Sequence, residues 1–346
     1  MRFVALACVM TVALASTALA QGGAKPVPLK KGVNEVNTPE GKYWLEIPNN
    51  YDPKKPMPVI CFLHGKTVDL KADNARGQLD NAFVIQMKKR GYIAVAPVMP
   101  PEHRPHWFEN GNSYPFMETW LNDLHTKVNV QYIVCSGFSA GANYTMHYGQ
   151  HRSYHAWFSG YLVMAGGCPV DKGAPEEIKK KPIWLGCGDV DNDTYDATLN
   201  TTGGARKTKD ELKANGFDSY YDEFPKVGHT MDQKMVEKGL AFCDANQGNF
   251  AAIGAVMRTG QIKGKEPGKA LLLLEMAAAT KVKPNEYWAK KLAETTTALV
   301  DAGKKAIADA AALTDEAKKK EELTKLGQAW IGTSMEKLVK DAMARK

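Results

Sequence analysis

The chain has 346 residues, six of them cysteines, and a formal net charge of +7 at neutral pH. No two cysteines have the C-x-x-C spacing, which argues against a zinc site built on cysteine. Beyond the N-terminus, no stretch approaches the roughly 18 uninterrupted apolar residues of a membrane-spanning helix. The length exceeds what one hydrophobic core usually holds, so a second structural unit is expected.

The N-terminus has the three parts of a secretory signal peptide. A positive charge at Arg2 precedes an apolar segment, and an A-x-A cleavage pattern occupies residues 18–20. The sequence therefore predicts a signal peptide over residues 1–20, a polar linker over 21–36, and export to the periplasm or the extracellular space. Nucleic-acid binding is not expected in an exported chain without a recognition motif.

Short apolar runs alternate with helical or loop segments through the middle of the chain. This alternation predicts an α/β fold with a doubly wound, mostly parallel sheet, which we assign to residues 37–245. The first strand precedes the βα units and is expected to pair in antiparallel fashion at an edge. The predicted strands are 42–47, 58–63, 92–96, 130–135, 159–165, 182–187 and 219–224.

Residues 137–141 have the sequence GFSAG and stand between a predicted strand and a stretch with helical character. In this context the pattern is typical of a nucleophile elbow, with Ser139 at a sharp turn from strand to helix. Gly137 and Gly141 lack the side chains that would clash in such a turn. The amide of Ala140, at the start of the helix, would point toward a developing oxyanion.

An acid and a histidine follow Ser139 in the order that a serine hydrolase of this type requires. The predicted strand 182–187 leads into a loop that carries three carboxylates, Asp189, Asp191 and Asp193. The last predicted strand is followed by His229, which is the candidate general base. The position of the acid after its strand leaves all three carboxylates open.

Four segments together resemble the α/β-hydrolase superfamily, in particular its secreted carboxylesterase, feruloyl-esterase and polyhydroxyalkanoate-depolymerase-like groups. They are VICFLHG at 59–65, GFSAG at 137–141, GDVD at 188–191 and FPKVGH at 224–229. The resemblance implies a Ser-His-Asp triad that needs no metal or organic cofactor. Because the second acid of G-D-x-D belongs to the triad in that family, it favours Asp191. It also implies an oxyanion hole formed by the backbone amides of Lys66 and Ala140.

A long aromatic segment follows the predicted strand 92–96, at the end of the sheet where α/β proteins bind ligands. Trp107 and Phe108 are its candidate substrate-binding residues. In one interpretation they line the pocket for the acyl or alcohol group. In the other they cover a hydrophobic core, and the sequence favours neither.

The C-terminal residues 246–346 predict an all-α helical appendage. Helical periodicity covers residues 270–279, 287–302 and 323–343, with Asn285 as a candidate N-cap. Residues 251–346 contain 18 Lys or Arg against 12 Asp or Glu. These basic helices could contact an anionic envelope or another protein. Since the charges are mixed in sign, a solvated helical surface is the favoured alternative.

Removal of the signal peptide leaves five cysteines, so at least one thiol is unpaired unless chains cross-link. Cys61, Cys135 and Cys187 lie on predicted core strands and are expected to be buried hydrophobic residues. If any pair is bridged, Cys168 with Cys243 is the pair to test. His147, His151 and His155 recur every four residues, but Gly149 weakens the helix and no carboxylate joins them, so no metal site is expected.

The function that these observations predict is hydrolysis of a carboxylic ester, carried by a small molecule or a polymer, through an acyl-enzyme intermediate. Two alternatives stay open. One is a serine peptidase with the same triad. The other is a catalytically silent hydrolase fold whose helical region binds a partner in the cell envelope.

Overall fold

The computed structural model describes residues 29–66, 74–101, 107, 113–151, 155–193 and 201–344. The predicted signal peptide and Phe108 lie outside the described residues, as does the linker up to residue 28. Within the described part of the chain, no helix is both long enough and apolar enough to cross a membrane.

Eight strands form one sheet in the order β1-β2-β4-β3-β5-β6-β7-β8. β1 pairs with β2, and β2 with β4, in antiparallel fashion, while all other neighbours are parallel. The strands are β1 (Gly32–Thr38), β2 (Gly41–Ile47), β3 (Met57–Leu63), β4 (Ile93–Pro97), β5 (Val130–Phe138), β6 (Gly160–Met164), β7 (Ile183–Gly188) and β8 (Ser219–Phe224). This is the mostly parallel α/β sheet that the sequence predicts.

The sheet contains one strand that the sequence analysis missed. β1 begins at Gly32, so residues 32–36 belong to the sheet and not to a linker. Its sequence, GVNEVNT, is largely polar, because it lies at the sheet edge with only one face on the core. β2 is antiparallel as predicted, but β1 covers it, and β2 is therefore not the edge strand.

Helices cover both faces of the sheet because the parallel strands are apolar on both sides. Along β3, Ile60 and Phe62 face one core, whereas Val59, Cys61 and Leu63 face the other. The first core is covered by α1 (Ala75–Gln78), α2 (Ala82–Lys89) and α7 (Gln233–Ala245). The second is covered by α3 (Tyr114–Lys127), α4 (Ala140–Gln150), α5 (Glu176–Lys179) and α6 (Thr201–Ala214).

The C-terminal region is helical, and its first helix packs directly on the sheet. Phe250 of α8 (Gln247–Ile262) lies against Tyr132 of β5, with ring centroids 6.0 Å apart. The predicted division after residue 245 thus falls between two helices, α7 and α8, that cover the same core. The chain continues through α9 (Pro267–Ala278), α10 (Glu286–Ala311), α11 (Glu316–Ala329) and α12 (Glu336–Ala344).

Asn285 caps the start of α10, and a glycine separates the last two helices. The Oδ1 atom of Asn285 accepts a hydrogen bond of 3.0 Å from the amide of Trp288, which confirms the predicted N-cap of α10. The helical periodicity over residues 323–343 spans parts of two helices, α11 and α12. Gly332 interrupts them with φ of +77°, a conformation that favours glycine.

The five cysteines from Cys61 onward are all described, buried and unbridged. The suggested pairing of Cys168 with Cys243 is wrong, since the two thiols belong to the cores on opposite faces of the sheet. α4 ends at Gln150, so His151 and His155 lie beyond the helix that carries His147.

Candidate active site

Ser139 occupies the turn between β5 and α4, at the carboxyl end of a central strand. Its backbone has φ of 57° and ψ of −121°, a strained conformation for a residue with a side chain. The amide of Ser139 donates a hydrogen bond of 3.0 Å to the carbonyl oxygen of Met164 on β6, which anchors the turn to the sheet. The strained turn places the Ser139 hydroxyl just beyond the carboxyl end of β5.

Glycine is required on both sides of Ser139 because backbone atoms approach each other closely there. A Cβ atom on Gly137 would overlap the carbonyl group of Gly141. A Cβ atom on Gly141 would overlap the carbonyl oxygen of Leu63 at the end of β3. The two glycines therefore let α4 start directly above β3 and β5.

The loops after β7 and β8 bring a histidine and a carboxylate to Ser139. The Nε2 atom of His229 lies 2.9 Å from the Oγ atom of Ser139. Its Nδ1 atom lies 2.8 Å from Oδ2 and 3.1 Å from Oδ1 of Asp191. Asp191 is fully buried, and the His229 side chain is 25% exposed. The structure thus brings Ser139, His229 and Asp191 into one hydrogen-bonded row.

The direction of these hydrogen bonds follows from the chemistry of the groups. An ionised carboxylate only accepts hydrogen bonds, so Nδ1 of His229 carries the ring proton and donates a hydrogen bond to Asp191. In the neutral imidazole, Nε2 then has a free lone pair and accepts the hydrogen bond from the Ser139 hydroxyl. This tautomer is the one in which His229 can remove a proton from Ser139.

Asp189 lies in the same loop and has a different contact. Its Oδ1 atom accepts a hydrogen bond of 2.6 Å from the amide of Lys226, which has φ of 62° in the turn before His229. Asp191, not Asp189, is therefore the carboxylate on the Nδ1 side of the ring. Asp189 instead ties the loop after β7 to the loop that carries His229.

Contacts with α6 hold the loop that carries Asp191 in place. The hydroxyl of Thr202 on α6 contacts the carbonyl oxygens of Gly188 and Asp191, at 2.8 and 2.9 Å. Cys187 lies at the end of β7, where burial and the charge of Asp191 raise the pKa of its thiol to about 12. The thiol next to the carboxylate is therefore neutral at physiological pH.

Asp193 also contacts the ring of His229, on the side opposite Asp191. Its Oδ2 atom lies 3.3 Å from Nε2 of His229, the nitrogen that also contacts Ser139. Its amide donates a hydrogen bond of 3.2 Å to Oδ1 of Asp191. The ring of His229 consequently has a carboxylate near each of its two nitrogens, one buried and one with a side chain 55% exposed.

The two segments suggested for an oxyanion hole flank Ser139. Ala140 is the first residue of α4, where an amide has no acceptor within the helix. On the other side, a Cβ atom on Gly65 would lie 3.3 Å from the Cβ atom of Ser139, so the segment leading to Lys66 runs beside the nucleophile. Lys66 itself is exposed.

Trp107 has the second of the two roles that the sequence left open, because it covers a hydrophobic core. Its side chain is fully buried in the core beneath the site. The indole Nε1 donates a hydrogen bond of 2.9 Å to the carbonyl oxygen of His64, and the ring stacks on Tyr144 of α4 at 5.5 Å. Trp107 therefore packs against the segment that leads to Lys66 and holds it through the hydrogen bond to His64.

The strand order, the antiparallel start of the sheet, and the strained serine between β5 and α4 define the α/β-hydrolase fold. Serine, acid and histidine follow one another along the chain in the order found in that fold.

No protein-family model matches the sequence. A search of curated proteins likewise found no match. Among solved structures, a thermostable esterase is 19% identical with a TM-score of 0.45, and the match covers 60% of this chain and 62% of that chain, less than two thirds of its length.

Two further solved structures are similar at comparable levels. A CE1 ferulic acid esterase from the anaerobic fungus Anaeromyces mucronatus is 16% identical with a TM-score of 0.45, over 60% of this chain and 87% of that chain. A Bacillus cereus carboxylesterase is 16% identical with a TM-score of 0.42, over 58% of this chain and 92% of that chain. At these identities the fold assignment rests on the strand order and on the turn at Ser139.

Proposed function

We propose that the protein is a serine hydrolase of carboxylic esters. The observation that carries this proposal is the position of the His229 ring, with Nε2 at 2.9 Å from Ser139 and Nδ1 at 2.8 Å from the buried Asp191. A serine at hydrogen-bonding distance from a base, whose own orientation is set by a third group, is the arrangement that activates a hydroxyl for attack on a carbonyl.

In the first half of the reaction, His229 takes the proton of Ser139 through Nε2 as the serine oxygen attacks the ester carbonyl. The resulting imidazolium is stabilised by Asp191, and the oxyanion by the amides of Lys66 and Ala140. The tetrahedral intermediate then collapses, and the imidazolium gives its proton to the departing alcohol. Ser139 is left as an acyl ester.

In the second half, water occupies the place of the alcohol. His229 removes a proton from this water, the hydroxide adds to the acyl carbonyl, and Ser139 leaves with the proton from Nε2. The products are the free acid and the regenerated enzyme. In each step, the groups that transfer protons or stabilise charge are side chains and amides of this chain.

Labelling with a fluorophosphonate probe tests the proposal, followed by turnover of short-chain nitrophenyl esters. We expect the wild-type protein to be labelled and to hydrolyse at least one ester, and Ser139→Ala to lose both properties while staying folded. Ser334→Ala, at an exposed serine in the helical region, is the matched control and should behave as wild type. A folded wild type that neither reacts with the probe nor cleaves an ester would refute the proposal.

A comparison of amide and ester substrates distinguishes an esterase from a peptidase. Anilide and ester substrates with a common acyl group differ only in the leaving group, so their kcat/KM ratio measures the preference directly. We expect the ester to be strongly favoured. Efficient cleavage of the anilide would support the peptidase alternative.

We also propose that the protein is exported, on the basis of the charge, apolar segment and A-x-A pattern of residues 1–20. Expression of the full chain in a bacterium, followed by cell fractionation and N-terminal sequencing, tests this. The expected product lies outside the cytoplasm and starts near Gln21. An unprocessed cytoplasmic chain would contradict it.

A further inference from the structure

The proposed reaction makes His229 Nε2 the atom that delivers a proton to the departing alcohol. For that transfer, the alcohol oxygen must come within about 3 Å of Nε2. The Oδ2 atom of Asp193 already lies 3.3 Å from the same nitrogen. The alcohol oxygen and the Asp193 carboxylate are therefore no more than about 6 Å apart when the ester bond breaks.

We propose that Asp193 determines the specificity of the site for the alcohol half of the ester, favouring alcohols that carry a positive charge near the ester oxygen and disfavouring anionic ones. This inference rests on the proposed esterase function and deepens it. The side chain of Asp193 is 55% exposed, so it borders the open side of the site, whereas Asp191 is fully buried behind the ring.

The position of Asp193 is fixed well enough for a charge effect. Its amide donates to Asp191, and its carbonyl oxygen accepts hydrogen bonds from the amide of Thr201 at 2.8 Å and from the Thr201 hydroxyl at 3.1 Å. The backbone of Asp193 is thereby tied to both the triad acid and the start of α6. A substituent on the alcohol would meet a carboxylate held by the loop that also holds Asp191.

The interaction between the Asp193 carboxylate and His229 changes during the reaction. While Nε2 holds a lone pair, it has no proton to share with Asp193. Once it has taken the Ser139 proton, the imidazolium attracts the carboxylate. Replacing Asp193 can therefore change the rate for every substrate. The specificity effect must be measured as a ratio between two esters, in which the common effect cancels.

A matched pair of substrates makes that measurement. The choline ester and the 3,3-dimethylbutyl ester of one acid have nearly the same shape, and differ in the positive charge of the trimethylammonium group. The acid is the one whose nitrophenyl ester the wild type hydrolyses best. For the wild type we expect a higher kcat/KM for the choline ester than for its neutral isostere.

In Asp193→Asn we expect this ratio to fall about tenfold, the scale of the attraction between two unit charges that lie several ångströms apart in a partly hydrated site. Asp193→Glu keeps the charge and should retain most of the ratio. Asp309→Asn removes an equal charge from an exposed ion pair with Lys305 on α10, and should leave the ratio as in wild type. It controls for the change in net charge.

The specificity role of Asp193 and the esterase function would be refuted by different results. A ratio that changes less than about twofold in Asp193→Asn, while the wild type is active on both esters, overturns the specificity role and leaves the esterase function standing. A loss of ratio shared by Asp309→Asn also overturns it, because the effect would then come from net charge. A wild type that hydrolyses neither these esters nor the nitrophenyl esters refutes the esterase function, and the inference with it.

Discussion

The indole nitrogen of Trp107 donates a hydrogen bond of 2.9 Å to the carbonyl oxygen of His64. His64 is itself 3% exposed, and its ring lies 5.1 Å from the indole. Since Trp107 also stacks on Tyr144, one side chain connects the segment after β3 with helix α4. These two elements flank Ser139 and provide the two amides proposed for the oxyanion hole.

Trp107→Phe tests this support. Phenylalanine keeps most of the buried ring but has no N–H group, so the hydrogen bond from Nε1 to the carbonyl oxygen of His64 is lost. Removing one partner of a buried hydrogen bond costs about 1–3 kcal/mol, and we expect a loss of unfolding free energy in that range. We also expect a lower kcat for the best ester, because the segment with Lys66 is held less firmly.

A second buried tryptophan provides the control. Trp120 of α3 is also fully buried, and its Nε1 donates to a weak acceptor, the sulfur of Met117, at 3.2 Å. Trp120→Phe should cost stability without lowering kcat in the folded enzyme. Equal losses of kcat in the two variants would contradict a specific role for Trp107.

Asp191→Asn tests which carboxylate orients the histidine. The asparagine amide can donate to Nδ1 and so favours the tautomer with the proton on Nε2, which cannot accept the Ser139 proton. We expect kcat for the best ester to fall about 10³- to 10⁴-fold. In Asp189→Asn the side-chain oxygen still accepts from the Lys226 amide, so activity should fall far less. Similar losses in both variants would argue against this division of roles.

Gly141→Ala tests the close approach of α4 to β3. The added methyl group would overlap the carbonyl oxygens of Leu63 and His64, which are backbone atoms that cannot rotate away. We expect a loss of about 3 kcal/mol or more in unfolding free energy, measured by urea titration.

Gly260→Ala is the matched substitution. Gly260 lies within α8, and nothing is within 4 Å of the position of its added methyl group. Here alanine should stabilise the protein by about 0.5–1 kcal/mol, because it lowers the entropy of the unfolded chain and favours the helix. A tolerated Gly141→Ala would show that the turn at Ser139 is less crowded than the structure indicates.

The buried amine of Lys181 should make stability depend on pH. Lys181 is fully buried just before β7, and its Nζ donates to the carbonyl oxygens of His155 and, at 2.7 Å, Phe158. Burial lowers the pKa of this amine to about 7, from its ordinary value of 10.5. Between these two values the unfolded chain binds more protons than the folded protein, so unfolding free energy rises with pH.

Lys181→Met removes this titration. Between pH 7 and 9, we expect the wild type to gain roughly 2 kcal/mol relative to the variant, as measured by urea titration at each pH. Cysteines that titrate in the unfolded chain affect both proteins alike and cancel. His155, whose pKa is lowered to about 3 by burial, stays neutral throughout.

The neighbouring Lys180 supplies the control, because its partly exposed amine pairs with Glu176 on the surface. Lys180→Met should follow the wild-type pH dependence. A difference between wild type and Lys181→Met that is constant from pH 7 to pH 9 would show that the amine does not titrate in this window.

Local patterns in the sequence predicted most of the sheet. All seven predicted strands are present. The five from β3 to β7 are buried on both faces, so they are apolar runs that neighbouring turns interrupt. The edge strand β1 was missed for the opposite reason. Its residues are half-exposed and polar, and they become a strand only by pairing with β2.

The sequence by itself determined the alternation of strands and helices, the turn around Ser139, and the order of serine, acid and histidine. The strands, the helices and the turn depend on residues close together in the chain, and the order of the three side chains is read directly from the sequence. Only the tertiary structure decided which of three carboxylates contacts each nitrogen of His229, and that Trp107 lies beneath His64. Those contacts join residues 36 to 43 positions apart in the chain, and their geometry is set by how separate elements pack on the sheet.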